Sequence, residues 1–384
     1  MKFKTMPMRV LFVTPDLFGP PGGIARFSRL CCKALAEAPG VELVDVIALN
    51  DRDQRNASCT FDSTKVAYCA GAANKARFMQ QLLQLSIAKR DYNVYFATHV
   101  NLTTALWPLH QFNHKHSALV AVAHGIDVWS RLPWLRRLAL SNASVIFAVS
   151  QLTQSRMVQA NRIDVEKVRI LHNCLDPSLT AISLAGQGTI TAPLGLKSPS
   201  ILTVSRLSLY DRYKGHTQVI QALALVQQQI APLHYYVVGE GELKVELQQL
   251  CQKLGVATSV HFLGQVDELT LKMLYQHADL FVMPSRGEGF GLVFLEAMAW
   301  GTPVIAGNQD AAVEVVQHGE TGLLVDPDNV SELAQSILRL IRNEDLRKKM
   351  GEAGRQLATA KFSYAHFCNT LLAHLQEALS SERH

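Results

Sequence analysis

Between Pro284 and Gly307 the chain reads PSRGEGFGLVFLEAMAWGTPVIAG, with glycines at 287, 289 and 291 and carboxylates at 288 and 296. A β-rich run, 280–283, precedes this block, and a stretch carrying Leu292, Leu295, Glu296, Met298 and Ala299 follows the glycines. A tight glycine loop leading from a strand into a helix offers unpaired backbone N–H groups at the positive end of the helix dipole, which suits phosphate. Gly289, Phe290, Gly291 and Leu292 are therefore expected to hold a diphosphate without a metal ion. Glu288 lies in the loop and Glu296 about one turn inside the helix, and the two are expected to face one crevice from different depths. Glu288 would accept hydrogen bonds from sugar hydroxyls, and Glu296 would take a ribose diol as a bidentate acceptor. The plain alternative is one glutamate in a flexible loop and another on a solvated helix face.

Further cations lie upstream. Arg206 follows a β-rich run and Lys214 precedes the next helical stretch, in SRLSLYDRYKGH. Two positive charges so placed can neutralise a departing diphosphate, although two solvated surface charges would look the same in sequence. In the N-terminal half, Gly22 and Gly23 fall in the first strand-to-helix loop, and His124 follows a strand in VAHGID. His124 reads either as a substrate contact or as a satisfied structural histidine. The first loop holds no G-x-G-x-x-G, which counts against a dinucleotide oxidoreductase.

In this order the motifs resemble the E-x7-E signature and its surroundings in retaining GT-B glycosyltransferases of the GT4 family. Arg206 and Lys214 resemble that family's pair on the donor diphosphate, and Gly239-Glu240-Gly241 resembles its turn after the next strand. Phe262 to Val266 resembles the segment whose backbone reads the nucleotide base, which makes Val266 a donor contact. More loosely, Gly22 and Gly23 lie where the family's backbone amides approach the donor phosphates, and His124 matches its sugar-contacting histidine. The resemblance implies an α/β GT-B fold of two Rossmann-like domains with parallel sheets facing across an interdomain cleft. It also implies transfer of a hexosyl group from a UDP- or GDP-sugar to a hydroxyl acceptor with retention, in cell-surface polysaccharide or glycolipid synthesis. Another GT-B chemistry, such as a nucleotide-sugar epimerase or a sugar phosphorylase, and a sugar-binding protein without catalysis remain the alternatives.

The elements that must position these residues are legible in outline. A chain of 384 residues is long enough for two domains. Strand-like runs at 8–14, 41–49, 94–98, 119–123, 145–149 and 168–171 alternate with helical patterns such as 24–38. A second set follows at 201–205, 235–238, 260–263, 280–283 and 303–306, with helices over 242–254 and 268–277. Such alternation predicts doubly wound parallel sheets. Residues 1–184 are expected to form an acceptor domain, the Gly/Ser/Thr/Pro-rich 185–199 a linker and 200–363 a donor domain. A terminal helix over 364–384 is expected to pack back toward the first domain.

Composition narrows the partners. With 37 Lys and Arg against 32 Asp and Glu, the net charge of +5 is too mild for a nucleic-acid binder. Seven cysteines without C-x-x-C spacing read as reduced thiols, and no run of apolar residues is long enough to span a bilayer. A cytoplasmic enzyme is expected, with the sequons at Asn56, Asn101, Asn142 and Asn329 arising by chance. The D-x-D strings at Asp51–Asp53 and Asp326–Asp328 read as loop chemistry, and no cofactor or divalent metal is expected. Residues 74–90 form a basic amphipathic helix with Phe78, Leu82 and Leu85 at i, i+4 and i+7 and with Lys75, Arg77, Lys89 and Arg90 near its ends. Trp129, Arg131, Trp134, Arg136 and Arg137 crowd a second stretch. Core packing is one reading of the helix. Peripheral contact with an anionic membrane, presenting a lipid-linked acceptor at its inner face, is the other.

Overall fold

The computed structural model describes residues 7–19, 22–52, 61, 64–88, 91–112, 116–178, 196–230 and 232–382. Asp53, Asn56, Cys59, Lys89, Arg90 and 185–195 of the expected linker lie outside the described residues. The chain forms two compact units, Met1–Asn173 with Tyr364–His384, and Cys174–Ser363.

In the first unit seven parallel strands lie in the order β3-β2-β1-β4-β5-β6-β7. These are β1 Met8–Thr14, β2 Val41–Ala48, β3 Val66–Ala70, β4 Val94–Ala97, β5 Ala118–Ala123, β6 Val145–Ala148 and β7 Val168–Ile170. Strands β4, β5 and β6 are buried throughout, as continuous apolar runs are when helices cover both faces of a parallel sheet. The steps from β3 through β7 all run one way across the sheet, and β1 to β2 runs the other. Right-handed crossovers therefore place helices Lys75–Ile87, Val100–Phe112, Trp134–Ser141 and Gln151–Asn161 on one face, and Gly23–Glu37 on the opposite one. The terminal helix Tyr364–Ser381 joins Gly23–Glu37: Phe27 meets Phe367 edge to face at 5.8 Å, and the Tyr364 hydroxyl donates to Glu37 at 2.9 Å.

The second unit has six parallel strands in the order β10-β9-β8-β11-β12-β13. They run Ser200–Val204 (β8), His234–Val238 (β9), Val260–Gly264 (β10), Leu280–Met283 (β11), Val304–Gly307 (β12) and Gly322–Val325 (β13). Helices His216–Val226, Leu243–Lys253 and Val330–Arg342 pack on one side around Val219, Leu223, Leu247 and Ile337. By the same crossover rule Glu268–His277 and Leu292–Ala299 cover the other side.

Two strands escaped the sequence reading, Val66–Ala70 and Gly322–Val325. The first is a half-exposed edge strand, and the second is four residues long behind a turn, so neither carries a long apolar run. The helix Glu344–Lys361 was also not anticipated, whereas Val330–Arg342 follows the turn at 326–328 and is capped by Asn329. Among the described residues no helix is long and apolar enough to cross a membrane, and no disulfide joins the described cysteines.

Candidate active site

In the second unit the strand order reverses between β8 and β11, and ligands of open α/β sheets bind beyond the strand ends at such a reversal. Both motifs stand there. Arg206 lies in the loop leaving β8, and Glu288 lies in the loop leaving β11.

The Arg206 loop is pressed into shape by the next turn. Ser205 N donates to Val238 O at 3.0 Å, and Leu207 N donates to Glu240 O at 2.8 Å. At Gly239, with φ of 129°, a Cβ would sit 1.8 Å from Ser205 O, so only glycine lets the two loops meet. Arg206 itself projects outward with 71% of its side chain exposed, and its Nη2 donates to Oδ1 of the buried Asp211 at 3.2 Å.

Behind Arg206 runs a chain of buried polar groups. Ser205 Oγ meets His216 Nε2 at 2.7 Å, His216 Nδ1 meets the Tyr235 hydroxyl at 3.0 Å, Tyr235 donates to Thr203 Oγ1 at 3.0 Å, and Thr203 donates to Val282 O at 2.5 Å. Because Thr203 must donate to a carbonyl, the chain runs in one direction, with His216 neutral and protonated on Nδ1. Burial, and then the charge of Lys214, lowers the His216 pKa to about 3.

Lys214 Nζ contacts Glu288 Oε1 at 2.5 Å, with 12% and 14% of the two side chains exposed. The Glu288 backbone is fixed at both ends: its N–H donates to Asp310 Oδ2 at 2.8 Å and its carbonyl accepts from Ala311 N at 3.1 Å. Asp310 also accepts from Ala312 N at 3.0 Å, and burial pushes its pKa up to about 6. Arg286 N donates to Tyr213 O at 3.0 Å, which ties the glycine loop to the segment carrying Lys214. Helix Leu292–Ala299 then begins at Gly291, whose φ of 90° favours glycine, and no side chain caps it. Gly289 and Leu292 are half-buried beside that uncapped start, while Phe290 is buried edge to face against Phe362 at 5.6 Å.

Glu296 lies deeper than Glu288. It is 4% exposed, and its Oε2 accepts from the Tyr275 hydroxyl at 2.8 Å. Val266 is half-buried in the turn after β10, immediately before Asp267 caps the next helix.

The first unit holds its own set. His124 follows β5, and its Nε2 lies 2.6 Å from Thr98 O, so Nε2 carries the proton and Nδ1 is left as the acceptor nitrogen. Asp127 accepts from His124 N at 3.1 Å, and the His99 ring stacks on His124 at 5.9 Å. Burial lowers His124 to about 4 and His99 to about 3, the latter helped by His124 and Arg136, while burial raises Asp127 to about 7. Gly22 and Gly23 are exposed at the uncapped start of the first helix. Asp51, from a D-x-D string, braces the loop before them: it accepts from Phe18 N at 2.8 Å and from the Tyr68 hydroxyl at 2.7 Å. In the other string Asp326 accepts from Asp328 N at 2.9 Å, and Asp328 pairs with Arg286.

Asp211, His216, Tyr275, Asp310, His99 and Asp127 are given no role by the sequence alone. Asp127 could have been found, since a carboxylate three residues past His124 suits a tight turn. Tyr275 and Asp310 could not, because only the fold brings them to Glu296 and Glu288.

Comparison with known proteins bears on the family and the fold. The family model for glycosyl transferases group 1 matches residues 191–357, and that for glycosyltransferase family 4 matches 21–179. A GDP-mannose-dependent alpha-(1-6)-phosphatidylinositol monomannoside mannosyltransferase of Mycobacterium tuberculosis is 33% identical over 279 residues, covering 69% of this chain and 70% of that protein. HepE of Anabaena, solved with UDP and glucose, superposes with a TM-score of 0.75 at 23% identity over 96% of this chain and all of HepE. Sucrose-phosphate synthase of Thermosynechococcus elongatus gives 0.76 at 23% identity over 98% of this chain and all of its own. The two Rossmann-like units, the order of the motifs and these matches place the chain in the GT4 family: it is a glycosyltransferase of the GT-B fold and of the hexosyltransferase type.

Proposed function

We propose that the protein transfers a hexosyl group from a UDP- or GDP-sugar to a hydroxyl acceptor, with retention at the anomeric carbon, in the synthesis of a cell-surface polysaccharide or glycolipid. The observation that carries this reading is the convergence of Arg206, the Lys214–Glu288 pair and the uncapped helix start at Gly291 on one sheet reversal. Two cations and a helix dipole preorganised around a leaving diphosphate stabilise the charge that develops as the glycosidic bond breaks. In this reading Glu288 takes a sugar hydroxyl, Glu296 the ribose, Val266 the base, His124 the sugar, and Gly22 with Gly23 the phosphates. With the leaving group neutralised by protein charges, the reaction is expected to proceed without a divalent metal. No side chain is assigned as a nucleophile, and the diphosphate itself takes the acceptor's proton on the face it is leaving.

The acceptor is proposed to be presented at an anionic membrane surface, in a cytoplasmic setting. Helix Lys75–Ile87 buries Phe78 and Leu82 but leaves Met79, Leu83 and Ile87 exposed along its outer side, beside exposed Lys75 and Arg77. Helix Trp134–Ser141, on the same face of the sheet, exposes Trp134, Leu135 and Leu138 with Arg136. Trp129 does not belong to that surface, since its ring stacks under Arg156 at 4.2 Å and its Nε1 donates to Thr153.

A panel of UDP- and GDP-sugars, scored for donor hydrolysis and then for transfer with the product anomer read by NMR, tests the proposal. Inverted product, or no consumption of any nucleotide sugar, would overturn it.

A further inference from the structure

The Lys214–Glu288 pair has a consequence for turnover, which rests on the reading of this site as one for a nucleoside-diphosphate sugar. One ammonium cannot fully serve both a carboxylate and a diphosphate. At 2.5 Å, with both side chains largely removed from water, Lys214 is already committed to Glu288. Arg206, by contrast, stands outward and exposed. The Glu288 backbone is pinned through Asp310 and Ala311, and the segment carrying Lys214 is tied to the same loop through Tyr213 O and Arg286 N. Exchange of partners therefore needs only side-chain rotation.

We propose that Glu288 is an internal competitor for Lys214 that couples release of the product to departure of the sugar. With the site empty, the carboxylate holds the ammonium. A nucleotide sugar displaces it, because the diphosphate takes Lys214 while a sugar hydroxyl donates to Glu288 and satisfies the freed carboxylate. Once the hexosyl group has left, Glu288 loses that donor and faces the diphosphate as an unpaired anion. It then recaptures Lys214, and the nucleoside diphosphate is expelled. Glu288 thus disfavours the product more than the substrate.

Calorimetry on the full chain with UDP and GDP, together with product-inhibition constants for the donor identified by the panel, tests the competition. Glu288→Gln should bind the nucleoside diphosphate about tenfold tighter than wild type, turn over more slowly and become more sensitive to product. Glu288→Asp, which keeps the charge but shortens its reach, should fall between the two and serves if the glutamine variant is unstable. A Lys214→Gln background separates competition from simple repulsion: the gain from Glu288→Gln should vanish there, whereas plain removal of a negative charge would preserve it. If wild type binds the nucleoside diphosphate and neither Glu288 variant binds it tighter, or the gain survives without Lys214, the competition is overturned and the donor site stands. If no form of the protein binds UDP or GDP, the donor reading itself falls.

Discussion

The Tyr275 hydroxyl donates to Oε2 of Glu296 across 2.8 Å inside the second unit, where both residues are buried. This bond orients the carboxylate assigned to the ribose. A buried hydrogen bond of this kind contributes about 0.5–1.5 kcal/mol net. Tyr275→Phe should therefore lower both the melting temperature and the affinity for UDP or GDP. Glu296→Ala should weaken nucleotide binding and transfer together, whereas Glu288→Ala should reduce transfer without weakening binding of the free nucleoside diphosphate. Calorimetry beside initial rates decides it, and a Glu296→Ala protein that bound nucleotide normally would reverse the assignment.

The diphosphate clamp makes a second prediction. Arg206→Ala and Lys214→Ala should each cost about 2–4 kcal/mol of transition-state stabilisation, the scale for losing one preorganised electrostatic group. Asp211→Asn, which only loosens Arg206, should cost less than either. Excess chelator should leave the wild-type rate unchanged. Near wild-type kcat/KM in both alanine variants would mean that the donor site lies elsewhere.

How far the sequence carries depends on what each residue needs from the fold. The strand runs of both sheets are legible because a parallel strand covered on both faces must be apolar throughout, as in Val145–Ala148 and Leu280–Met283. Edge strand Val66–Ala70 is half-exposed and short, so its pattern is weak. Lys214 and Glu288 can be read because they sit beside glycines, and Arg206 and Glu296 because one follows a strand run and the other stands eight positions past Glu288 in a helical stretch. Their partners cannot: Asp310 stands 22 positions from Glu288 and Tyr275 stands 21 from Glu296, and no local pattern links them. The amphipathic helix at Lys75–Ile87 was read by its buried stripe, and its exposed Met79, Leu83 and Ile87 could be told from core only once the sheet was in place.

A third prediction concerns acid stability of the first unit. Burial raises Asp127 to about 7, against about 3.9 in an unfolded chain. Between those values the folded state keeps a proton that the unfolded state has lost, so this group adds stability as pH falls from 7 toward 4. Its contribution grows by at most about 1.4 kcal/mol per pH unit. His99 and His124, lowered to about 3 and about 4, act in the opposite sense: unfolding lets them bind protons below pH 6.5, so stability is lost as pH falls. Asp127→Asn removes the opposing contribution and should make the loss of stability from pH 7 to pH 5 steeper than in wild type. Denaturant melts at pH 7.5, 6 and 5 measure the slope, and parallel curves for the two proteins would show that Asp127 titrates normally.

The last prediction is peripheral binding to anionic membrane through the outer helices of the first unit. Ile87 is 78% exposed and Trp134 69%, apolar surface that an interfacial helix would bury among lipid headgroups. Exposed Lys75, Arg77, Arg131 and Arg136 add about 1 kcal/mol each near an anionic leaflet, enough for reversible attachment without a membrane span. Salt should weaken that contribution, since such charges are screened within about 8 Å at physiological ionic strength. Flotation with anionic and neutral liposomes at low and high salt separates the charge contribution from the apolar one. Changing the four basic residues to Ser should abolish the preference for anionic vesicles, and changing Met79, Leu83 and Ile87 to Ser should reduce the binding that survives high salt. Equal recovery with both vesicle types, unchanged in either variant, would return these helices to the ordinary cover of a sheet and leave a soluble acceptor as the substrate.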